Sequence, residues 1–299
     1  LVINGRVKEI AVKNLYAKSP FRIIKKDSAS KQRMEGNTEW YKIVDEVEIT
    51  NMLTGKSMSV AVTSLQLFNE NGKVNDVVIL PPFPECCGSV DTIPSLFLWF
   101  PLLGTESFGV NFIFHSKRWY PVEKRNNIML PENVPSKCEK GAHNEEILHE
   151  MMATLHRYYA YEGNAYSLNR DMCIVNFHSD KEDEVTTKFY TDLQDMWKAV
   201  VPSWKVIPTE EGKKAMADAR VRVLHPDFYS KLTEEKRTQY EPMLAEYAKN
   251  VKYNEEECYL LPTLDLIVWS EVVHLWRCDR DSEFYVTVKD VCKSVQKKI

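Results

Sequence analysis

Apolar residues change their spacing about halfway along the chain, and the change predicts two kinds of structure. Up to about residue 135 the pattern is that of short strands. Met58–Phe68 (MSVAVTSLQLF) sets Val60, Val62 and Leu65 among hydroxyl residues, and Asn69-Glu-Asn-Gly72 then supplies a turn that would close a hairpin with Val74–Leu80. Leu96–Leu103 and Val110–Phe114 are brief apolar runs bounded by Pro and Gly, which suits buried strands. Arg6–Lys13 and Trp40–Thr50 have mixed spacing and read as less regular strands. Lys13–Arg33 carries seven basic residues and one acid, with Tyr16 and Phe21 interleaved. A solvated loop or linker is expected there. A nucleic-acid-binding arm is the alternative, and the acidic balance of the whole chain opposes it.

From Asn144 the period becomes helical. Ile147, Met151, Leu155 and Tyr158 fall at i, i+4, i+8 and i+11, one stripe on a helix reaching about Tyr161. Phe189, Leu193, Met196/Trp197 and Val200 repeat the pattern up to Pro202, with Ser179-Asp180 a candidate cap ahead of it. Thr233–Lys249 and Thr287–Lys297 read as two further helices opening on Thr. Asp265–Trp276 (DLIVWSEVVHLW) is a nearly continuous apolar run, helix or strand, which period does not separate. An α+β fold is expected, with a β-rich part at 1–140 and a mostly helical part at 141–299.

Composition changes this picture in one respect. The chain of 299 residues has only 10 glycines, against 14 prolines. Phosphate-cradling loops need clustered glycines so that backbone N–H groups can approach the anion. No G-x-G-x-x-G or G-x-x-x-x-G-K-[ST] is present. The nearest approach, Gly104-Thr-Glu-Ser-Phe-Gly109, continues with Val110 and Asn111 where lysine and a hydroxyl belong, and its glutamate would repel phosphate. A self-sufficient P-loop or Rossmann enzyme is excluded. Seven cysteines without a C-x-x-C pair argue against a disulfide framework or zinc ribbon and suit a reducing, cytoplasmic compartment. Cys86-Cys87 reads as two packed thiols, or else as a vicinal disulfide. The charge-free Thr92–Thr105 stretch is too short and proline-broken to cross a bilayer. The chain opens on Leu1 already inside a strand-like pattern, which is expected of a piece excised from a longer polypeptide.

Histidine chemistry finds little support. His149 and His156 lie seven apart on one helix, with Glu145 a turn before His149, and the i, i+4 pair of zinc proteases is not completed. They read as a polar helix face; a small hydrolase built around them is the competing possibility. His178-Ser-Asp180 is a further pairing, and His225-Pro-Asp227 matches the tripeptide of J-domain cochaperones without their usual flanks. No G-x-S-x-G and no cysteine with a nearby base is present. What remains is Pro94–Glu132. It reads as two buried strands joined by a Gly-flanked turn, then a cationic loop with Lys117, Arg118, Lys124 and Arg125, opposed by Glu123. Such a loop could present a guanidinium to a phosphate, or be a solvated surface loop with Arg125 and Glu123 weakly paired.

In this segment the order FPLLGTE, then a strand ending in a small polar residue, then P-x-E-x-R-x-x-I resembles the sacsin-like branch of the GHKL ATPases, the superfamily of gyrase, MutL, heat-shock chaperones and histidine kinases. The residues that carry the resemblance are Phe100, Pro101, Leu102, Gly104, Glu106, Ser116, Pro121, Glu123, Arg125 and Ile128. More diffuse matches are Asn144 with the helix after it, Trp204-x-x-Ile-Pro-Thr-x-x-Gly212, and Leu261-Pro with Trp269-Ser-Glu. The resemblance implies a transducer-type β-rich sandwich behind a separate N-terminal ATP-binding domain, whose Glu/Asn helix, Asp-x-Gly turn and glycine-rich lid this chain lacks. It implies that Arg125 contacts the ATP γ-phosphate, with Lys124 in reserve, and that ATP and Mg are held by that other domain. The implied partners are that domain and an unidentified protein client; nucleic acid and membrane are not expected. The competing class is a non-catalytic protein-interaction module of a larger assembly, with Arg125 a surface charge.

Overall fold

In the computed structural model the first part of the chain forms one sheet. The structure describes residues 7–12, 20–34, 37–80, 94–108, 112–131, 135–160, 184–249, 251–276, 285–287, 289–290 and 293. The strands are β1 (Glu9–Val12), β2 (Phe21–Met34), β3 (Asn37–Asn51), β4 (Ser57–Phe68), β5 (Val74–Ile79), β6 (Leu96–Leu98), β7 (Phe100–Pro101) and β8 (Ile113–Ser116). Their order is β1-β2-β3-β4-β5-β8-β6-β7. With four α-helices among the described residues, this is the mixed α+β architecture that the two periods predict.

One expectation fails here. From Phe21 onward the basic run is not a loop but the long strand β2, paired with β3 through three register shifts. Three of its five cations find carboxylates on neighbouring strands. Lys25 reaches Asp45 at 3.1 Å, Lys26 reaches Glu48 at 3.0 Å, and Arg22 reaches Glu9 at 2.7 Å. Opposite charges across a ladder support pairing, and a local reading of charge does not see partners that fold back from another strand.

The expected β4–β5 hairpin forms, with Gly72 in the left-handed region that its turn requires (φ 69°). Residues in register share a face of the sheet. One row is Tyr41, Gln66, Val77, His115 and Phe97; the opposite row is Lys42, Leu65, Val78, Phe114 and Leu96. Gln66, Val77 and His115 are buried on the first face, and Leu65, Val78, Phe114 and Leu96 on the second. The central strands are covered on both sides, which is why β5 reads as an unbroken Val-Val-Ile run. The two buried runs at Leu96 and Phe114 are parallel neighbours, β6 and β8, rather than arms of a hairpin.

Helix α1 (Pro135–Ala160) buries the predicted stripe of Ile147, Met151, Leu155 and Tyr158. It meets the second face of the sheet, where the Lys42 ammonium lies 5.5 Å from the centre of the Tyr158 ring. The chain divides into two compact units, Leu1–Tyr158 with Val175–Leu193, and Tyr159–Ile174 with Gln194–Ile299. The first long helix thus belongs almost wholly with the sheet. Helix α2 (Glu184–Val200) contributes Phe189 to this unit, edge-on to Phe108 at 5.8 Å. Its proposed cap at Ser179-Asp180, like Cys86-Cys87 and His178, lies outside the described residues.

In the second unit Trp204 packs against Tyr159 (4.8 Å between ring centres) and Trp197 (6.3 Å). It leads into the hairpin of β9 (Lys205–Thr209) and β10 (Gly212–Ala215). Strand β11 (Val223–Leu224), helices α3 (Glu234–Ala248) and α4 (Leu266–Trp276), and β12 (Tyr285–Val286) follow, with β11 and β12 parallel. The ambiguous apolar run is therefore helical. A core of Leu224, Tyr229, Ala248, Leu261, Leu266, Ile267 and Val286 joins these elements. Ser270 of α4 lies inside it, accepting from the Leu224 N–H at 3.1 Å and donating to the Leu266 carbonyl at 2.6 Å. Thr287 and Asp290 bond reciprocally as a capping box, and most of the helix expected after Thr287 lies outside the described residues. Among the described residues no helix is long and apolar enough to cross a membrane.

Candidate functional site

The segment after β8 is a small hairpin rather than a free loop. Pro121 and Ile128 form an antiparallel bridge, and the Met129 N–H donates to the Tyr120 carbonyl at 2.8 Å. Nearer the tip the Val122 N–H donates to the Asn127 carbonyl at 2.9 Å, and the Arg125 N–H turns back to the Val122 carbonyl at 2.8 Å. This turn needs a left-handed residue. Arg125 itself takes that conformation, φ 52°, although Asn126 and Asn127 stand beside it and tolerate it better. Lys124 and Arg125 are exposed at the tip, and among the described residues neither side chain has a hydrogen-bond or ion-pair partner. Glu123, also exposed, does not pair with Arg125.

The base of the hairpin is fastened. Asn144, buried on α1, accepts from the Tyr120 N–H at 2.8 Å and donates to the Tyr120 and Met129 carbonyls at 2.8 and 2.9 Å. One turn earlier the missing side chain of Gly141 lets the helix lie directly on the Leu130–Pro131 backbone. Arg118 bridges the fully buried Asp76 of β5 (2.7 Å) and Glu150 of α1 (2.6 Å), while its N–H donates to the Ser116 hydroxyl at 2.9 Å. Two of the four cations in the predicted loop are therefore structural. Arg118 is paired, and Lys117 donates to the Val74 carbonyl and lies 4.9 Å from the centre of the Trp99 ring. Burial lowers the Lys117 ammonium below its ordinary range, with Lys73 acting in the same direction.

The GTE turn touches this hairpin. Gly104 (φ 111°) lies so close to the tip that a Cβ would stand 2.8 Å from the Asn126 carbonyl oxygen. The Glu106 carboxylate folds back to accept from the Gly104 N–H at 2.7 Å. Buried Thr105 donates its hydroxyl to the Leu102 carbonyl at 2.8 Å and accepts from the Leu96 N–H at 3.1 Å. The two stretches that sequence singled out, FPLLGTE and P-x-E-x-R-x-x-I, thus meet at Gly104 and Asn126. Around them Trp99 (45% exposed, φ 62°), Phe100 (75%) and Leu103 (64%) form an apolar rim.

No protein-family model matches the chain, and no curated protein or solved structure shows significant similarity to it. The site is therefore read from its own geometry. His115 lies beneath the rim, with Nδ1 3.0 Å from the Phe97 carbonyl and the Trp99 ring centre 5.2 Å away. Burial pushes its imidazole down to about 4, against the Phe97 carbonyl and Asp76 pulling upward. His149 is exposed and His156 half-exposed on α1, and among the described residues no three His, Cys, Asp or Glu side chains stand close enough to hold a metal. His225-Pro-Asp227 caps a short 3₁₀ turn after β11, where His225 Nδ1 accepts from the Asp227 N–H at 3.2 Å; it does not join two helices.

The resemblance singles out Asn144 without giving it a role. It occupies the buried stripe of α1, one turn before Ile147, where a polar side chain must find partners. That misplacement was a legible signal.

Proposed function

We propose that this chain is the transducer-type middle part and following helical region of a sacsin-like GHKL ATPase, coupling nucleotide chemistry in a separate N-terminal domain to conformational change. Arg125 is the residue that reaches the γ-phosphate, with Lys124 beside it. The observation that carries this reading is a cation held unpaired and left-handed at the tip of a fastened hairpin, in contact with the GTE turn. The hairpin sets where this side chain starts, and the guanidinium keeps its hydrogen-bonding edge open. Such a group can offset negative charge on the transferring phosphoryl group. ATP and Mg would be held by the other domain; this chain supplies the cation. A second reading, a non-catalytic interaction module, is favoured by the exposed Trp99, Phe100 and Leu103 rim, since exposed clusters of large apolar side chains mark docking surfaces.

The test uses the full-length protein. Arg125→Ala should lower kcat roughly a hundredfold or more, in keeping with other trans-acting arginines, while nucleotide Kd moves by less than about threefold. The chain alone should bind no ATP by calorimetry. An unchanged turnover rate would overturn the role of Arg125, and micromolar ATP binding by the isolated chain would overturn the division of labour.

A further inference from the structure

Among the described residues the tip of the Arg125 hairpin is hydrogen-bonded by its own two backbone bonds, Val122 to Asn127 and Arg125 to Val122, and Gly104 packs against it at Asn126. Its stronger fastening is at the base, and there the contacts go to helix α1. Three positions on that helix hold it. Gly141 admits the Leu130–Pro131 backbone, Asn144 takes both strands through three hydrogen bonds, and Glu150 holds Arg118. They run along about two and a half turns, some 13 Å of helix. The sheet adds Asp76 and Ser116 on the same arginine, and Val74 on Lys117.

We propose that Asn144 is the positioning residue for Arg125, so that the placement of helix α1 is read out at the guanidinium. This rests on the γ-phosphate reading above. The amide is suited to the task because a single planar group grips both strands: its oxygen takes the Tyr120 N–H, and its nitrogen takes one carbonyl from each strand. The two strands cannot shear past one another without breaking one of these bonds. From the clamp at residues 120 and 129 to residue 122 the strand rises about 7 Å, and the turn carries Arg125 a few ångströms farther. A rotation of about 10° at the clamp would move the tip by roughly 1–2 Å. Misplacements of about 1 Å already cost large factors in rate where catalysis depends on orientation. A small displacement of the helix is therefore sufficient to engage or withdraw the arginine.

Asn144→Asp separates this role from mere support. The carboxylate keeps the acceptor for the Tyr120 N–H but turns an oxygen toward the Tyr120 and Met129 carbonyls. In the full-length protein N144D should lower kcat roughly tenfold or more, with nucleotide Kd within about threefold. In the Arg125→Ala background it should lower kcat no further, because the residue it positions is gone. Hydrogen exchange at the Arg125 and Met129 amides should quicken by roughly tenfold or more, while the Val77 and Val78 amides of the central sheet stay protected. If R125A slows turnover and N144D does not, the positioning role fails and the γ-phosphate reading stands. If R125A leaves turnover unchanged, the γ-phosphate reading fails and takes the positioning role with it. Unchanged exchange at Arg125 and Met129 in N144D would overturn the clamp in either case. Should N144D not fold, Glu150→Gln, at a half-exposed side chain, loosens the same base through Arg118. It should give a smaller loss of kcat, again absent in R125A, and additive losses would overturn the proposal.

Discussion

Replacing Gly141 by alanine should destabilise the protein, opposite to the usual effect of that change within a helix. In an open helix the substitution gains about 1 kcal/mol, because alanine loses less backbone freedom. Here an added Cβ would stand 2.2 Å from the Leu130 carbonyl oxygen, 2.4 Å from its carbon and 2.5 Å from the Pro131 nitrogen. Ordinary contact needs about 3.5 Å, so helix and backbone must part by roughly 1 Å. The obstacles are main-chain atoms, and no rotamer change relieves them. Overpacking of this kind costs about 3 kcal/mol at the upper end of its usual range. Moving α1 also strains the Asn144 bonds one turn away, each worth about 1 kcal/mol net. The balance is a loss of about 2–3 kcal/mol after the propensity gain. Urea unfolding followed by tryptophan fluorescence reads it directly, since Trp119 is buried beside the hairpin. Gly55→Ala is the control. Its Cβ meets nothing within 4 Å, but its φ of 68° is left-handed, so the cost should be only about 1 kcal/mol. A Gly141→Ala midpoint equal to or above that of the unaltered protein would refute the close approach of α1 to Leu130–Pro131.

Two further outcomes test the same region. The His115 imidazole is held at about 4 by burial, with Lys117 adding to the effect and Asp76 and the Phe97 carbonyl opposing it, against 6.5 when unfolded. The unfolded chain therefore takes up the proton first. Stability is full above about pH 6.5 and falls as pH drops toward 4, by on the order of 3 kcal/mol. His115→Phe should flatten melting temperature against pH in that window; an unchanged slope would place the titration elsewhere. Arg125→Gly should raise stability by about 1 kcal/mol in urea unfolding, because it relieves a left-handed φ and removes no side-chain partner. A loss would reveal a contact that holds the arginine.

The elements most legible in sequence were those whose signal is local. The α1 stripe, the Asn-Gly turn between β4 and β5 and the short buried runs around Phe114 depend on period and turn chemistry within a few residues. What escaped was non-local. Strand β2 hides its nature because its charges are answered by Glu9, Asp45 and Glu48 on neighbouring strands. The parallel placement of β6 and β8 follows from a crossover that period does not encode. At the candidate site, Lys124 and Arg125 were found from the resemblance and their place after a strand. That Lys117 is occupied depends on β5 and β6 lying beside β8, and that Glu150, Asn144 and Gly141 hold the base of the hairpin depends on contacts made only when α1 returns to the sheet.

The charges on β2 also select an alignment. Exposed pairs such as Arg22 with Glu9 add little to stability, but Lys25 faces an Asp45 that is fully buried. A slip of β2 by one residue would turn Lys25 to the other face of the sheet. In one direction of slip Lys26 would take its place, and in the other Ile24 would, leaving buried Asp45 without that cation. The pair therefore works as a key that rejects one of the two neighbouring alignments. Much of the positive charge that suggested an arm reaching for an outside anion is thereby turned to self-recognition between strands.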